Sequence, residues 1–158
     1  MTREWLRGVG LLLLVASVAA CASMQAKEPT LYERIRAVDA TGTTRQGRDA
    51  IAIVVDRFVA NMVADHRVNA RFKGMPGPAV EKLKSNLSDQ ICQASGGSCS
   101  YYGRDMKAAH TGMKITEAEW NATVENLNTA FDQAKVGERE RKDLVAAIAP
   151  MKGDIVGQ

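Results

Sequence analysis

The chain has 158 residues, 46% of them hydrophobic and 25% charged, and a formal charge of +3 at pH 7. That composition suits one ordinary globular domain behind a targeting segment and excludes disorder over the main body. The positive charge is small and dispersed, with no Lys/Arg run of five, which excludes nucleic acid as a partner.

Arg3 and Arg7 precede an apolar block, Leu11-Leu12-Leu13-Leu14-Val15, and small residues lead from there to Cys21. A basic end, a short apolar core and a small-residue exit describe a secretory signal peptide over residues 1–20. The apolar run is short of the roughly 20 residues that span a bilayer; an uncleaved membrane anchor is the alternative reading. Val18-Ala19-Ala20-Cys21 resembles a bacterial lipobox. That resemblance implies a lipid on Cys21, and the non-acidic Ala22 behind it implies the outer membrane, with the domain facing the periplasm. Residues 21–30 have no hydrophobic period and read as a lipid-anchored tether.

Leu31–Ile35 reads as a short helical turn, and the polar stretch 39–47 as a turn-rich connection broken by Gly42 and Gly47. A helix begins near Arg48, with Ile51, Val54, Val55, Phe58 and Met62 at helical spacing, and ends near His66. The loop Lys73–Pro78 leads into a second amphipathic helix through Val80, Leu83, Leu87 and Ile91, with Pro78 suited to its first turn and Gly96-Gly97 stopping it. Thr116 and Glu119 form a Thr-x-x-Glu capping box, flanked by Ile115 and Trp120 as a hydrophobic staple. Trp120, Val124, Leu127 and Phe131 then mark one stripe. After Val136-Gly137, a last helix carries Leu144, Val145 and Ile148, with Met151 as an optional further member, and Pro150 bends or ends it. No alternating strand pattern of useful length is present, so the expected class is all-α.

Cys92 and Cys99 are the cysteines left if Cys21 is lipidated, and they flank the flexible Gly96-Gly97 turn in what would be an oxidising compartment. A disulfide is expected; two buried free thiols are the alternative. Zinc is not supported, since no second cysteine pair or His–His spacing exists.

His110 is one of two histidines. Met106 precedes it by four residues and so shares its helical face, while Ala108, Ala109 and Gly112 would let a flat group approach closely. No Ser–His–Asp arrangement, carboxylate pair or Gly-rich phosphate loop competes for the chemistry. At this point a structural histidine and an iron ligand both stay open, the second because haem ligation needs only one protein residue.

Several motifs stand in one order: Leu31-Tyr32-Glu33-Arg34-Ile35; Ala50-Ile51 with Val54-Val55-Asp56-Arg57-Phe58; Phe72; Gly96-Gly97; and Tyr101-x-Gly103-x-x-Met106-x-x-x-His110-x-Gly112-x-x-Ile115-Thr116. Over residues 31–156 this resembles a group I truncated haemoglobin. The resemblance implies a two-over-two helical globin sandwich around non-covalent haem b. It makes His110 the proximal iron ligand and Phe72 the ring packed on the haem face. Val59, Leu83 and Leu87 take the positions facing the gas ligand, and Met106, Tyr101, Ile115, Trp120 and Leu127 complete the haem contacts. Because neither Cys92 nor Cys99 belongs to a Cys-x-x-Cys-His run, covalent attachment through cysteine is not expected.

Two departures from the family pattern are visible. The Gly-Gly after the first helix is absent, replaced by the longer Arg36–Gly47. Val59, Leu83 and Leu87 are all apolar where relatives place Tyr or Gln, leaving Asn86, Thr123 and Gln90 as the nearest polar groups. Losing a hydrogen bond to bound oxygen is worth about 1–2 kcal/mol, which favours NO or CO relative to O2. The leading expectation is reversible binding of a diatomic gas, with an electron donor that the sequence does not identify. A nitric-oxide dioxygenase or peroxidase on the same scaffold is the alternative. A haem-free helical lipoprotein acting as an interaction module, with His110 and Met106 as core residues, is the third. His66 reads as a surface or capping residue.

Overall fold

The computed structural model describes residues 27–158. The expected signal peptide, Cys21 and the first part of the expected tether lie outside the described residues. Thr30 caps the first helix, which starts at Leu31. Its hydroxyl accepts from the Glu33 N–H at 3.3 Å, and the Glu33 carboxylate accepts from the Thr30 N–H at 2.7 Å. No described helix is long and apolar enough to cross a membrane.

Six α-helices follow: α1 (Leu31–Arg34), α2 (Gly47–Ala64), α3 (Gly77–Ala94), α4 (Met106–His110), α5 (Glu117–Gln133) and α6 (Glu138–Ile148). The fold is helical as expected, with one local exception. The segment read as a polar turn folds into a small antiparallel hairpin, β1 (Arg36–Val38) with β2 (Thr44–Gln46), in register Arg36↔Gln46, Ala37↔Arg45 and Val38↔Thr44. Three-residue strands are too short to display period-two alternation. The local chemistry was nevertheless present in the sequence. Asp39 Oδ1 accepts from the Thr41 and Thr43 N–H groups, both at 2.9 Å, and Gly42 supplies φ +82°. The hairpin is tied to the helices because the Val38 N–H donates to Ala134 O at 2.8 Å and Arg57 donates to Val38 O at 2.9 Å.

α2 is the central element, packed against both α3 and α5. Its Ile51, Val54 and Val55 meet Ile35, Phe131, Ala134, Val136 and Leu144 in one fully buried cluster. Phe131 and Leu144 join α5 and α6 through that cluster, and the connection is tied by Arg141 Nε donating to Val136 O at 2.7 Å. The chain then passes through a 3-10 segment, Ala149–Asp154, which packs on α4. Its tail adds a parallel bridge between Val156 and Ile115, with the Gly157 N–H donating to Ile115 O at 2.9 Å. The tail thus holds the segment just after His110.

A buried polar bridge also joins α2 to α5. Asn126 donates to Asp65 Oδ2 at 2.8 Å, and Asn61 donates to Asn126 O at 3.2 Å. Bonds from the Arg67 side chain, then from the Arg67 N–H and Asn126, hold the Asp65 carboxyl far below the usual carboxylate range. A carboxylate with a lowered folded pKa stabilises the fold fully above its unfolded value, about 3.9. The contribution is lost as pH falls through the folded value. Asp65→Asn is therefore expected to lower the urea midpoint at neutral pH. The gap to wild type should narrow as pH drops below about 4, read from denaturation curves across pH.

Candidate functional site

α3 is amphipathic, yet its apolar face is not sealed against protein. Leu83, Leu87 and Ile91 are only half-buried, and among its residues only Ser88 and Cys92 are buried. The same holds at the start of α5, where Trp120 and Val124 are half-buried while Leu127 and Phe131 further along are buried. Both faces turn toward a shared cavity of about 490 Å³, within the range of about 300–1,000 Å³ typical of cofactor sites. One expected stripe thus serves two purposes, core at Phe131 and cavity wall at Trp120.

All ten residues singled out from the sequence stand on this wall. Val59 comes from α2, Phe72 from the turn after it, and Leu83 and Leu87 from α3. Tyr101, Met106, His110 and Ile115 come from α4 and its flanks, Trp120 and Leu127 from α5. Sequence reasoning missed Arg71, Met75, Met113, Met151 and Ile155 as wall residues. These sit in turns and irregular segments, where no periodicity marks a buried face. His66 is exposed in the turn after α2 and does not line the cavity.

His110 ends α4, a five-residue helix started by Asp105, whose carboxylate accepts from the Ala108 N–H at 2.8 Å. His110 Nδ1 lies 2.8 Å from Met106 O. A carbonyl can only accept, so Nδ1 carries the proton, and in the neutral form of the ring the lone pair lies on Nε2. Histidines that hold metals commonly donate this ring N–H to a carbonyl, which orients the ring and fixes its tautomer. The i−4 spacing to Met106 therefore matters through the Met106 carbonyl as well as through its side chain.

The loops on either side are braced. Before α4, the Tyr101 N–H donates to Gln93 Oε1 at 2.7 Å and the Tyr101 hydroxyl donates to Arg104 O at 2.7 Å. The Tyr101 ring lies across Gly103, where any Cβ would collide with it. A disulfide joins Cys92 of α3 to Cys99, with Cα atoms 5.8 Å apart, settling the alternative left open by spacing. After α4, Arg71 donates to Met113 O at 2.7 Å and to Glu119 Oε1 at 2.8 Å. Glu119 also closes the Thr116 capping box, donated to by the Thr116 N–H at 2.8 Å and with the Glu119 N–H 3.1 Å from the Thr116 hydroxyl. The Thr116 N–H, and then Arg71, lower the Glu119 pKa.

Elsewhere on the wall most side chains are apolar. Val59, Leu83 and Leu87 are apolar. The Thr123 hydroxyl donates to its own helix at Glu119 O, 2.8 Å away, and Gln90 Nε2 lies 3.4 Å from Met151 Sδ. Asn86 is the remaining amide on the wall. Among the described residues no group of three His, Cys, Asp or Glu side chains could hold a bare metal ion. One imidazole with a free lone pair, on a wide apolar cavity with aromatic rings, fits an iron already held by a flat macrocycle.

Comparison with known proteins agrees with this chemistry. Residues 37–156 match the family model described as bacterial-like globin. A group 1 truncated haemoglobin of Mycolicibacterium paratuberculosis is 27% identical over 131 residues, 83% of this chain and 87% of that protein. Truncated haemoglobin from Tetrahymena pyriformis, Fe(III) form, superposes with a TM-score of 0.65 at 25% identity, covering 71% of this chain and 93% of that one. The 2/2 haemoglobin of Synechococcus sp. PCC 7002, solved in the cyanomet state with covalently attached haem, superposes with a TM-score of 0.67 at 25% identity, covering 81% and 98%.

Proposed function

Because this chain belongs to the bacterial-like globin family, and is similar over most of its length to group 1 truncated haemoglobins that bind haem, we propose that it carries haem b non-covalently on His110 and binds a diatomic gas reversibly. The observation that carries the reading is the His110–Met106 bond, which leaves an oriented lone pair on the wall of a largely apolar cavity. Phe72, Tyr101, Met106, Ile115, Trp120 and Leu127 supply the apolar and aromatic surface that would hold the macrocycle. Both described cysteines are consumed in a disulfide and neither lines the cavity, which supports attachment without a thioether bond. Haem iron held by one imidazole supplies an open coordination position for O2, NO or CO. Purified protein titrated with haemin is expected to develop a Soret band that shifts under CO after reduction; protein that stays colourless would overturn the reading.

The wall facing the gas sets the selectivity. Val59, Leu83 and Leu87 exclude water and offer no hydrogen bond, so they favour NO and CO over O2. Leu87→Gln adds a donor there and is expected to slow O2 dissociation about tenfold, since such a bond contributes about 1–1.5 kcal/mol. CO dissociation, measured by stopped-flow displacement, should change far less.

We further propose that a lipid on Cys21 anchors the globin to the envelope, facing the periplasm, with the outer membrane as its address. The Val18–Cys21 motif supports this, and the Cys92–Cys99 disulfide suits an oxidising compartment. Cys21→Ser is expected to move the protein from the membrane pellet to the supernatant after fractionation; an unchanged distribution would sink the anchor.

A further inference from the structure

All five methionines among residues 27–158 stand on the wall of the cavity that His110 lines. They come from five separate places: Met62 from α2, Met75 from the turn before α3, Met106 from α4, Met113 from the loop after it, and Met151 from the C-terminal 3-10 segment. Each is half-buried, so none is sealed away. The buried core, including the partly buried residues packed on it, contains no methionine at all. A residue used only to fill irregular gaps would be found in the core as well. Thioether sulfur is instead confined, among the described residues, to the wall of this cavity. Two of these thioethers bracket His110 in sequence, four residues before it and three after it. The same wall carries Tyr101 and Trp120, aromatic groups that strong oxidants damage.

We propose that these methionines are a peroxide sink built into the cavity wall, which spares His110, Tyr101 and Trp120. The inference rests on the haem reading above, because iron is what draws hydrogen peroxide to this cavity. The step is R–S–CH3 + H2O2 → R–S(=O)–CH3 + H2O. The O–O bond breaks, one oxygen forms the S–O bond, sulfur is oxidised by two electrons, and the second oxygen leaves as water. Methionine sulfoxide is the reversible product that sulfoxide reductases return to the thioether, so the wall can be reset.

The test uses haem-loaded full-length protein, wild type and a variant carrying Met62→Leu, Met75→Leu, Met106→Leu, Met113→Leu and Met151→Leu. Leucine nearly conserves volume and is tolerated in packed sites. The Soret band is recorded first, then hydrogen peroxide is added stepwise and oxidation is mapped by peptide mass spectrometry. Wild type is expected to gain one oxygen at the cavity methionines before Tyr101 or Trp120 is modified. The leucine variant is expected to show Tyr101 and Trp120 oxidation, and Soret bleaching, at a several-fold lower peroxide dose. A normal Soret band with untouched methionines beside oxidised Tyr101 and Trp120 overturns the sink alone, as does a variant that bleaches at the wild-type dose. Absence of a Soret band in wild type before peroxide overturns the haem reading and the sink with it. Should the five-fold variant fail to load haem, the order of oxidation in wild type decides the question.

Discussion

His110→Ala is expected to leave the protein folded and colourless. No other imidazole lines the cavity, and His66 is exposed in the turn after α2. His110 is half-buried at the end of α4 and lies outside the buried core cluster, so removing its ring costs the fold little. On the proposed haem reading, the iron loses its whole bond to the protein. Losing an outer-shell partner alone costs about 10–100-fold in metal affinity, so losing the ligand should exceed the upper figure. The measurement is haemin titration followed at the Soret band, with far-ultraviolet circular dichroism to confirm the helices. Added imidazole, which supplies the missing ligand, should restore part of the spectrum. A His110→Ala protein that binds haemin with wild-type affinity and spectrum would remove His110 from the site.

Phe131→Ala is expected to do the opposite, damaging the fold without touching the cavity. Phe131 is fully buried and the largest such side chain, set among Ile35, Val54, Val55 and Leu144 where α1, α2, α5 and α6 converge. It does not line the cavity. Truncating a buried Phe costs about 3–5 kcal/mol, through lost transfer energy and the void left behind. That is a large part of the 5–15 kcal/mol total typical of a domain. Urea denaturation should show the loss as a lower midpoint with an unchanged slope. Haem affinity of the fraction still folded should stay close to wild type. A loss below about 1 kcal/mol would mean that the cluster collapses around the gap.

These two residues show how unevenly the chain can be read. Phe131 and His110 were both visible by spacing alone: the first as the last member of a helical stripe, the second as an isolated imidazole four residues beyond Met106. The capping box at Thr116–Glu119 and the stop at Gly96-Gly97 were equally legible, because caps and stops act over three or four residues. The equivalent box at Thr30–Glu33 carried the same local signal at the start of α1.

What the sequence by itself determined is therefore the set of helices, their apolar faces, and the run of residues around His110 whose order resembles a truncated haemoglobin. Tertiary structure decided which apolar faces meet protein and which meet a cavity, since periodicity records that a face avoids water and says nothing about what covers it. It decided that Leu83 and Trp120 line the site while Phe131 lies behind it. It brought Arg71, Met75, Met113 and Met151 to the wall from segments with no period, and paired Val156 with Ile115 across some forty residues of chain. It also joined Cys92 to Cys99, a pairing that spacing allowed but could not require, because the distance between two Cα atoms depends on how the chain folds back between them.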